Sequence, residues 1–137
     1  MAMWLFADAM SQGKPIQVYN YGKMRRDFTY VDDIVAGVIA SMQVDGLDPY
    51  EIFNLGNHRS EELLGLIEVM EKALGVEAQK ELVPIQPGDV PATYADVERA
   101  RTKLGYEPTT PISVGVPNFI EWFQAHADLI QQMRDAG

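Results

Sequence analysis

The chain has 137 residues, 47% of them hydrophobic and 23% charged, with a formal net charge of -9 and no cysteine. That length suits one domain able to bury roughly 70% of the surface its extended chain exposes, and the composition is globular rather than disordered. The negative charge excludes a general nucleic-acid or anionic-membrane surface, and the missing cysteines exclude disulfides, Cys-ligated metals and thiol catalysis, with only two distant histidines left as soft ligands.

Residues 3–12 read as a helix that stops at Gly13 with Pro15 just beyond. The start, MAMWLFADAM, has no basic n-region and contains Asp8, so it is a poor signal peptide, and no apolar run approaches the ~20 residues that span a bilayer. A cytoplasmic setting is expected. IQVY (Ile16 to Tyr19) alternates and carries β-formers, which predicts a short strand leading into a turn at Asn20–Gly22. Residues 27–30 are expected to be extended. Val31, Ile34, Val35, Val38, Ile39 and Met42 then share one face of the clearest helix in the chain, with Asp32 and Asp33 in its first turn, where the helix dipole favours carboxylates.

Asp48-Pro49 marks a turn and Ile52–Leu55 a strand entering the turn at Gly56-Asn57. Ser60 is expected to cap a helix with Glu61 and Glu62 in its first turn, Leu63, Leu64, Ile67, Met70 and Leu74 inward, and Gly75 at its end. Lys80–Ile85 reads as a further strand. PIQPGDVP (Pro84 to Pro91) must be a constrained loop. Asp96 is placed to cap a short helix ending at Gly105, and Thr110-Pro111 reads as an N-cap followed by proline at the first helical position. The last helix carries Phe119, Ile120 and Phe123 on one side, and Pro117 should kink it or reset its start.

One stretch stands out chemically. KMRRDFTYVDD (Lys23 to Asp33) sets three cations within four positions of an acidic chain, as a local anion site requires when the overall field is negative. A pair of solvated loop charges would look the same.

GKPIQVYNYGKMRRDFTYVDDIVAGV, then IFNLGN, then PIQPGDVPATYADVERARTKLGYEPTTPI, resembles in order the carboxyl-terminal part of the NAD-dependent nucleotide-sugar epimerases and dehydratases, the extended short-chain dehydrogenase/reductase family, nearest to the UDP-glucuronate 4-epimerases. The resemblance runs from about residue 1 to about residue 125. It implies an α/β (α+β) fragment: a small mixed sheet with flanking helices, the C-terminal portion of an extended SDR-type Rossmann enzyme. Residues 1–137 are then expected to form a single substrate-binding unit, with Met1 internal to a longer parent. Where this chain has Asn20-Tyr21-Gly22, relatives acting on other nucleotide sugars usually have glycine-aspartate-glycine. The sequence contains no G-x-x-G-x-x-G or G-x-G-x-x-G fingerprint, and Tyr19 and Lys23 have the Tyr-x-x-x-Lys spacing only across a turn. No catalytic residue is therefore assigned here, NAD would be bound by the absent N-terminal Rossmann half rather than by this chain, and the chain alone is expected to be inactive.

Carried over position by position, the resemblance makes Arg26 the diphosphate clamp, with Arg25 and Lys23 as background field. It sets Tyr19 against the uracil and offers the backbone of Gln17 to the base edge. Asp89 becomes an acceptor for ribose hydroxyls. Gln86 stands where relatives often carry arginine, which leaves more of the phosphate grip to Arg26, and Thr93 stands where some carry a tyrosine near the sugar. An Arg26–Asp27 or Arg26–Asp89 structural pairing is the plain alternative for the arginine. For the whole chain, the alternatives are a non-catalytic binding or assembly module, or the same part of a nucleotide-sugar decarboxylase or dehydratase. The expected partners are a UDP-sugar and the NAD-binding half, with self-association through exposed apolar surface, and neither nucleic acid nor membrane.

Overall fold

The computed structural model describes residues 2–135. Its elements run α1 (Ala2–Ser11), β1 (Ile16–Val18), a 3₁₀ turn (Tyr19–Gly22), β2 (Arg25–Arg26), α2 (Val31–Gln43), β3 (Glu61–Glu62), α3 (Leu63–Leu74), β4 (Lys80–Leu82), α4 (Glu98–Leu104), α5 (Ile112–Ala125) and α6 (Ala127–Asp135). The α/β class expected from the sequence is what forms, with its strands in two ladders. β1 lies parallel to β4, Ile16 opposite Lys80, and β2 lies antiparallel to β3, Arg25 opposite Glu62 and Arg26 opposite Glu61. No helix among the described residues is long and apolar enough to cross a membrane.

Two apolar clusters organise the chain. The larger is built by Phe6 and Met10 of α1, Ile16 and Val18 of β1, Leu66, Ile67 and Met70 of α3, Val116, Ile120 and Phe123 of α5, and Ile130 of α6. Leu63, Leu66, Ile67 and Met70 recur at helical spacing, so one stripe of α3 is fully covered. Each such side chain contributes roughly 1.5–3 kcal/mol by leaving water. Trp4 closes this cluster edge-on to Phe123, centroids 5.4 Å apart. The smaller cluster holds Val97, Ala100, Leu104 and Tyr106, with Phe53, Leu55 and Ala40 packed against it. Helix stops are as read: Gly75 and Gly105 take left-handed φ values of +71° and +65°, which a side chain would resist.

Several local expectations are overturned. Ser60 does not cap α3. The helix starts at Leu63 without a side-chain cap, because Glu61 and Glu62 are drawn into the ladder with β2, where Arg25 Nη1 meets Glu62 Oε1 at 2.6 Å and Leu63 N–H donates to Met24 O at 2.9 Å. Ser60 Oγ is left buried without a partner. Ile52–Leu55 forms no strand among the described residues. β1 ends at Val18, and Tyr19 opens the 3₁₀ turn, with Asn20 and Tyr21 at φ of +51° and +53°. β4 stops at Leu82, although Val83 still donates to Val18 O at 3.1 Å.

α5 begins at Ile112, one residue after the proline, without a side-chain cap, and continues through Pro117. The carbonyl that Pro117 leaves unbonded belongs to Ser113, which is exposed to water. α6, which periodicity did not separate from α5, follows a break at His126, whose ring stacks on Trp122. Asp96 Oδ1 does accept from Glu98 N–H at 3.0 Å at the start of α4.

α2 forms where expected and faces the other way from its apolar stripe. Its buried positions are Asp33 and Gly37, while Val31, Val35, Val38, Ile39 and Met42 are 46–80% exposed. Asp33 decides this, accepting from Thr109 and Thr110 N–H at 3.1 and 3.0 Å just before α5. Gly37 permits it, since a Cβ there would lie 2.7 Å from Leu55.

Candidate functional site

Strand alternation sorts the cationic stretch onto two faces. Arg25 and Asp27 turn to one side, and Met24, Arg26 and Phe28 to the other, where they line a cavity of about 370 Å³. The same cavity is lined by Gln17, Tyr19, Gln86 and Asp89, over an apolar floor that includes Phe6 and Leu63. Five of the six residues singled out from the sequence therefore meet in one place. Thr93 does not: its N–H donates to Arg25 O at 3.2 Å, and it does not line the cavity.

Each wall has a local cause. Gln86 and Asp89 are the two ends of a β-turn, Asp89 N–H donating to Gln86 O at 3.1 Å, with Pro87 and then Gly88 at φ of +84° between them. That is type II turn chemistry, and it brings both side chains to one rim. On the opposite wall Tyr19 Oη donates to Gln17 Oε1 at 2.9 Å. Ile16 N–H and Val18 O bond toward β4, so the alternation of a parallel strand aims the N–H and C=O of Gln17 away from it.

Arg26 spans the cavity. Its Nη2 donates to Asp89 Oδ1 at 2.7 Å and its Nη1 to Arg25 O at 2.8 Å, with Arg26 25% and Asp89 36% exposed. Asp89 Oδ1 also accepts from Val90 N–H at 2.8 Å. Arg25 cannot serve as background charge, since it is committed to Glu62 and to Ser60 O. Lys23 is exposed and makes no ion pair among the described residues. Together these groups offer an elongated ligand one fixed guanidinium, one acceptor carboxylate, an aromatic ring and two amides. No group of three His, Asp or Glu able to hold a metal occurs among the described residues.

A second cavity of about 200 Å³ lies between Tyr30, Thr110, Gly115 and Phe119. It holds none of the six candidate binding residues and no charged side chain, so the cavity containing Arg26 and Asp89 is the site favoured by chemistry.

Sequence reading missed Asp27 except as a neighbour of Arg26. Its Oδ1 accepts from Asn57 N–H at 2.8 Å and Thr29 Oγ1 at 3.0 Å, and its Oδ2 from Ala95 N–H at 2.9 Å and His58 N–H at 3.2 Å. Only the tight turns that follow could have hinted at it, and their partner is 30 residues away.

Residues 2–56 match the model of the NAD dependent epimerase/dehydratase family. An uncharacterized protein of Methanocaldococcus jannaschii is 43% identical over 133 residues, 97% of this chain and 40% of its own length. UDP-glucuronate 4-epimerase 1 of Arabidopsis thaliana is 39% identical over 142 residues, 92% of this chain and 33% of its own. The chain belongs to the NAD dependent epimerase/dehydratase family. Its fold superposes on UDP-glucuronic acid 4-epimerase from Bacillus cereus, solved with UDP-glucuronic acid and NAD, with a TM-score of 0.81 and 31% identity over 90% of this chain and 40% of that one. The chain thus spans 33–40% of the length of these family members.

Proposed function

We propose that this chain is the nucleotide-sugar binding part of an NAD-dependent UDP-sugar epimerase of the UDP-glucuronate 4-epimerase kind. The observation that carries the reading is the single cavity that gathers Gln17, Tyr19, Arg26, Gln86 and Asp89. It is supported by the likeness to the Arabidopsis and Bacillus cereus UDP-glucuronate 4-epimerases.

In this reading a diphosphate takes the place of Asp89 on Arg26. A planar guanidinium grips two phosphate oxygens as a fork, which an ammonium cannot do. Released from Arg26, Asp89 accepts from ribose hydroxyls, Tyr19 packs on the base, and the outward backbone of Gln17 meets the base edge. Gln86 adds a neutral contact at the phosphate, and Thr93, outside the cavity, is the weakest of the set. These residues supply binding energy remote from the reacting carbon, which fixes the hexose where chemistry occurs.

NAD would exchange a hydride with the sugar. The sequence has no glycine-rich fingerprint to hold it and no helical Tyr-x-x-x-Lys, so no step of that transfer is assigned to this chain. The remaining partner is the NAD-binding half carried by a longer parent, for which the exposed face of α2 is the surface we assign.

A brace formed by Arg26 and Asp89 alone would give the same 2.7 Å contact. Calorimetric titration with UDP separates the two. Binding is expected, and Arg26→Lys should weaken it by roughly 1–3 kcal/mol, the range for charge-assisted hydrogen bonds. Equal affinity in both proteins would leave only the brace.

A further inference from the structure

We infer that Asp27 is a positioning residue that sets the spacing of Arg26 and Asp89 across the cavity; this rests on the nucleotide reading above. The rim carrying Asp89 belongs to a loop with almost no regular structure, from Ile85 to Ala95. What holds it in register is β2. Arg25 contributes its backbone, its N–H donating to Pro91 O at 2.9 Å and its carbonyl accepting from Thr93 N–H at 3.2 Å. Asp27 contributes a carboxylate that accepts from Ala95 N–H at the far end of that loop and from Asn57 and His58 N–H in the turn behind it.

A loop fastened at residues 91, 93 and 95 leaves Asp89 only a short tether, so the side chain that faces Arg26 is fixed from behind. The three fastenings are not equivalent. The two at Arg25 are backbone bonds that any residue could make, whereas the one at Asp27 needs a carboxylate with four acceptor sites facing four donors. Gly56 adds a close approach, since a Cβ there would lie 2.4 Å from Ala95 Cβ and 3.1 Å from Asp27 Oδ2. Strand alternation is what couples them: Arg26 faces the cavity because Asp27 faces the loop.

Asp27→Asn tests this. An amide keeps one acceptor oxygen and turns its NH₂ either on Asn57 N–H and the Thr29 hydroxyl or on the N–H groups of Ala95 and His58, so at least one backbone bond is lost with little change in size. UDP affinity should fall about tenfold. The Arg26 guanidinium NMR signals, distinct while the ion pair is fixed, should collapse to those of solvent-exposed arginine, while α3 and α5 amides keep their shifts. Asp27→Glu restores the acceptors and should recover part of both readouts. An Asp27→Asn protein that melts lower yet keeps wild-type affinity and wild-type Arg26 signals overturns the inference. Should the wild-type chain bind no UDP, the nucleotide reading fails, and the Arg26 signals alone then decide the positioning role. If Asp27→Asn does not fold, Thr29→Val removes one of the four donors and must move the same readouts in the same direction by about twofold; no movement overturns it.

Discussion

Around α3 the chain covers its large side chains completely, Leu66, Ile67 and Met70 all at 0% exposure, whereas α2 presents Val31, Val35, Val38, Ile39 and Met42 to the outside. Both helices are amphipathic by the same spacing. What differs is the neighbour: α3 is flanked by α1 and α5, while α2 rests on Leu55 and Tyr106 through Gly37, and the adjacent segment 52–55 has unladdered backbone. An apolar stripe therefore identifies a helix and an interface, but the interface need not lie within the same stretch of chain. One lobe is closed by its own residues, and the other leaves an apolar stripe of α2 uncovered.

Substitutions should expose that contrast most sharply at the two stripes. Leu66→Ala removes a fully buried side chain and should cost about 2–5 kcal/mol in urea unfolding. Met42→Lys, on the outer face of α2, should change stability by no more than about 0.5 kcal/mol. A large loss at Met42 would mean that α2 packs inward by its stripe after all.

Smaller effects separate brace from binding site. Asp33→Asn leaves the amides of Thr109 and Thr110 short of acceptors and should cost about 1–3 kcal/mol without altering UDP affinity. Asp89→Asn removes an exposed partner of Arg26, so its stability change should stay below about 1 kcal/mol, while UDP binding weakens through the lost ribose acceptor. Calorimetry and melting on both variants check the crossing pattern, and two variants that act on stability alone would reduce the 86–91 loop to a strut.

Acid should act on the smaller lobe most gently. Lys103 chiefly, with Asp48 N–H and Arg99, holds the Glu51 carboxyl down to about 2 from an ordinary 4.5. A depressed carboxylate contributes stability that is fully present above pH 4.5 and is lost as pH falls through about 2. Tyr106 ring signals should therefore weaken in that window, and Glu51→Gln should flatten the profile there. An identical acid profile in the variant would remove Glu51 from the account.

Most helix positions were legible from local rules, the glycine stops at Gly75 and Gly105 and the proline-fixed turns among them, whereas Gln17, Tyr19, Arg26, Gln86 and Asp89 were named through the family resemblance and not by any local pattern. What escaped depended on distant partners. Ser60 looked like a cap because nothing nearby announced that Glu61 and Glu62 would pair with Arg25 and Arg26. Arg25 looked like spare charge until Glu62 was beside it. The outward turn of α2 was hidden because Asp33 finds its donors 76 and 77 residues on. Asp27 was overlooked for the same reason, its donors reaching to Ala95, 68 residues away.

The pairing of Asp8 with Arg134 joins α1 to α6 across 126 residues, with Arg134 Nε 2.7 Å from Asp8 Oδ1, and Ile130 enters the same cluster as Phe6 and Met10. Loop closure entropy rises only slowly with length, but time is another matter. During synthesis the first helix is made long before its last partner exists, so Phe6 and Met10 must wait, partly uncovered, for the chain to deliver Ile130. For that interval the better-packed lobe is the less complete one, and the segments that need the least chain, α2 with residues 53–56 and α4, can settle first.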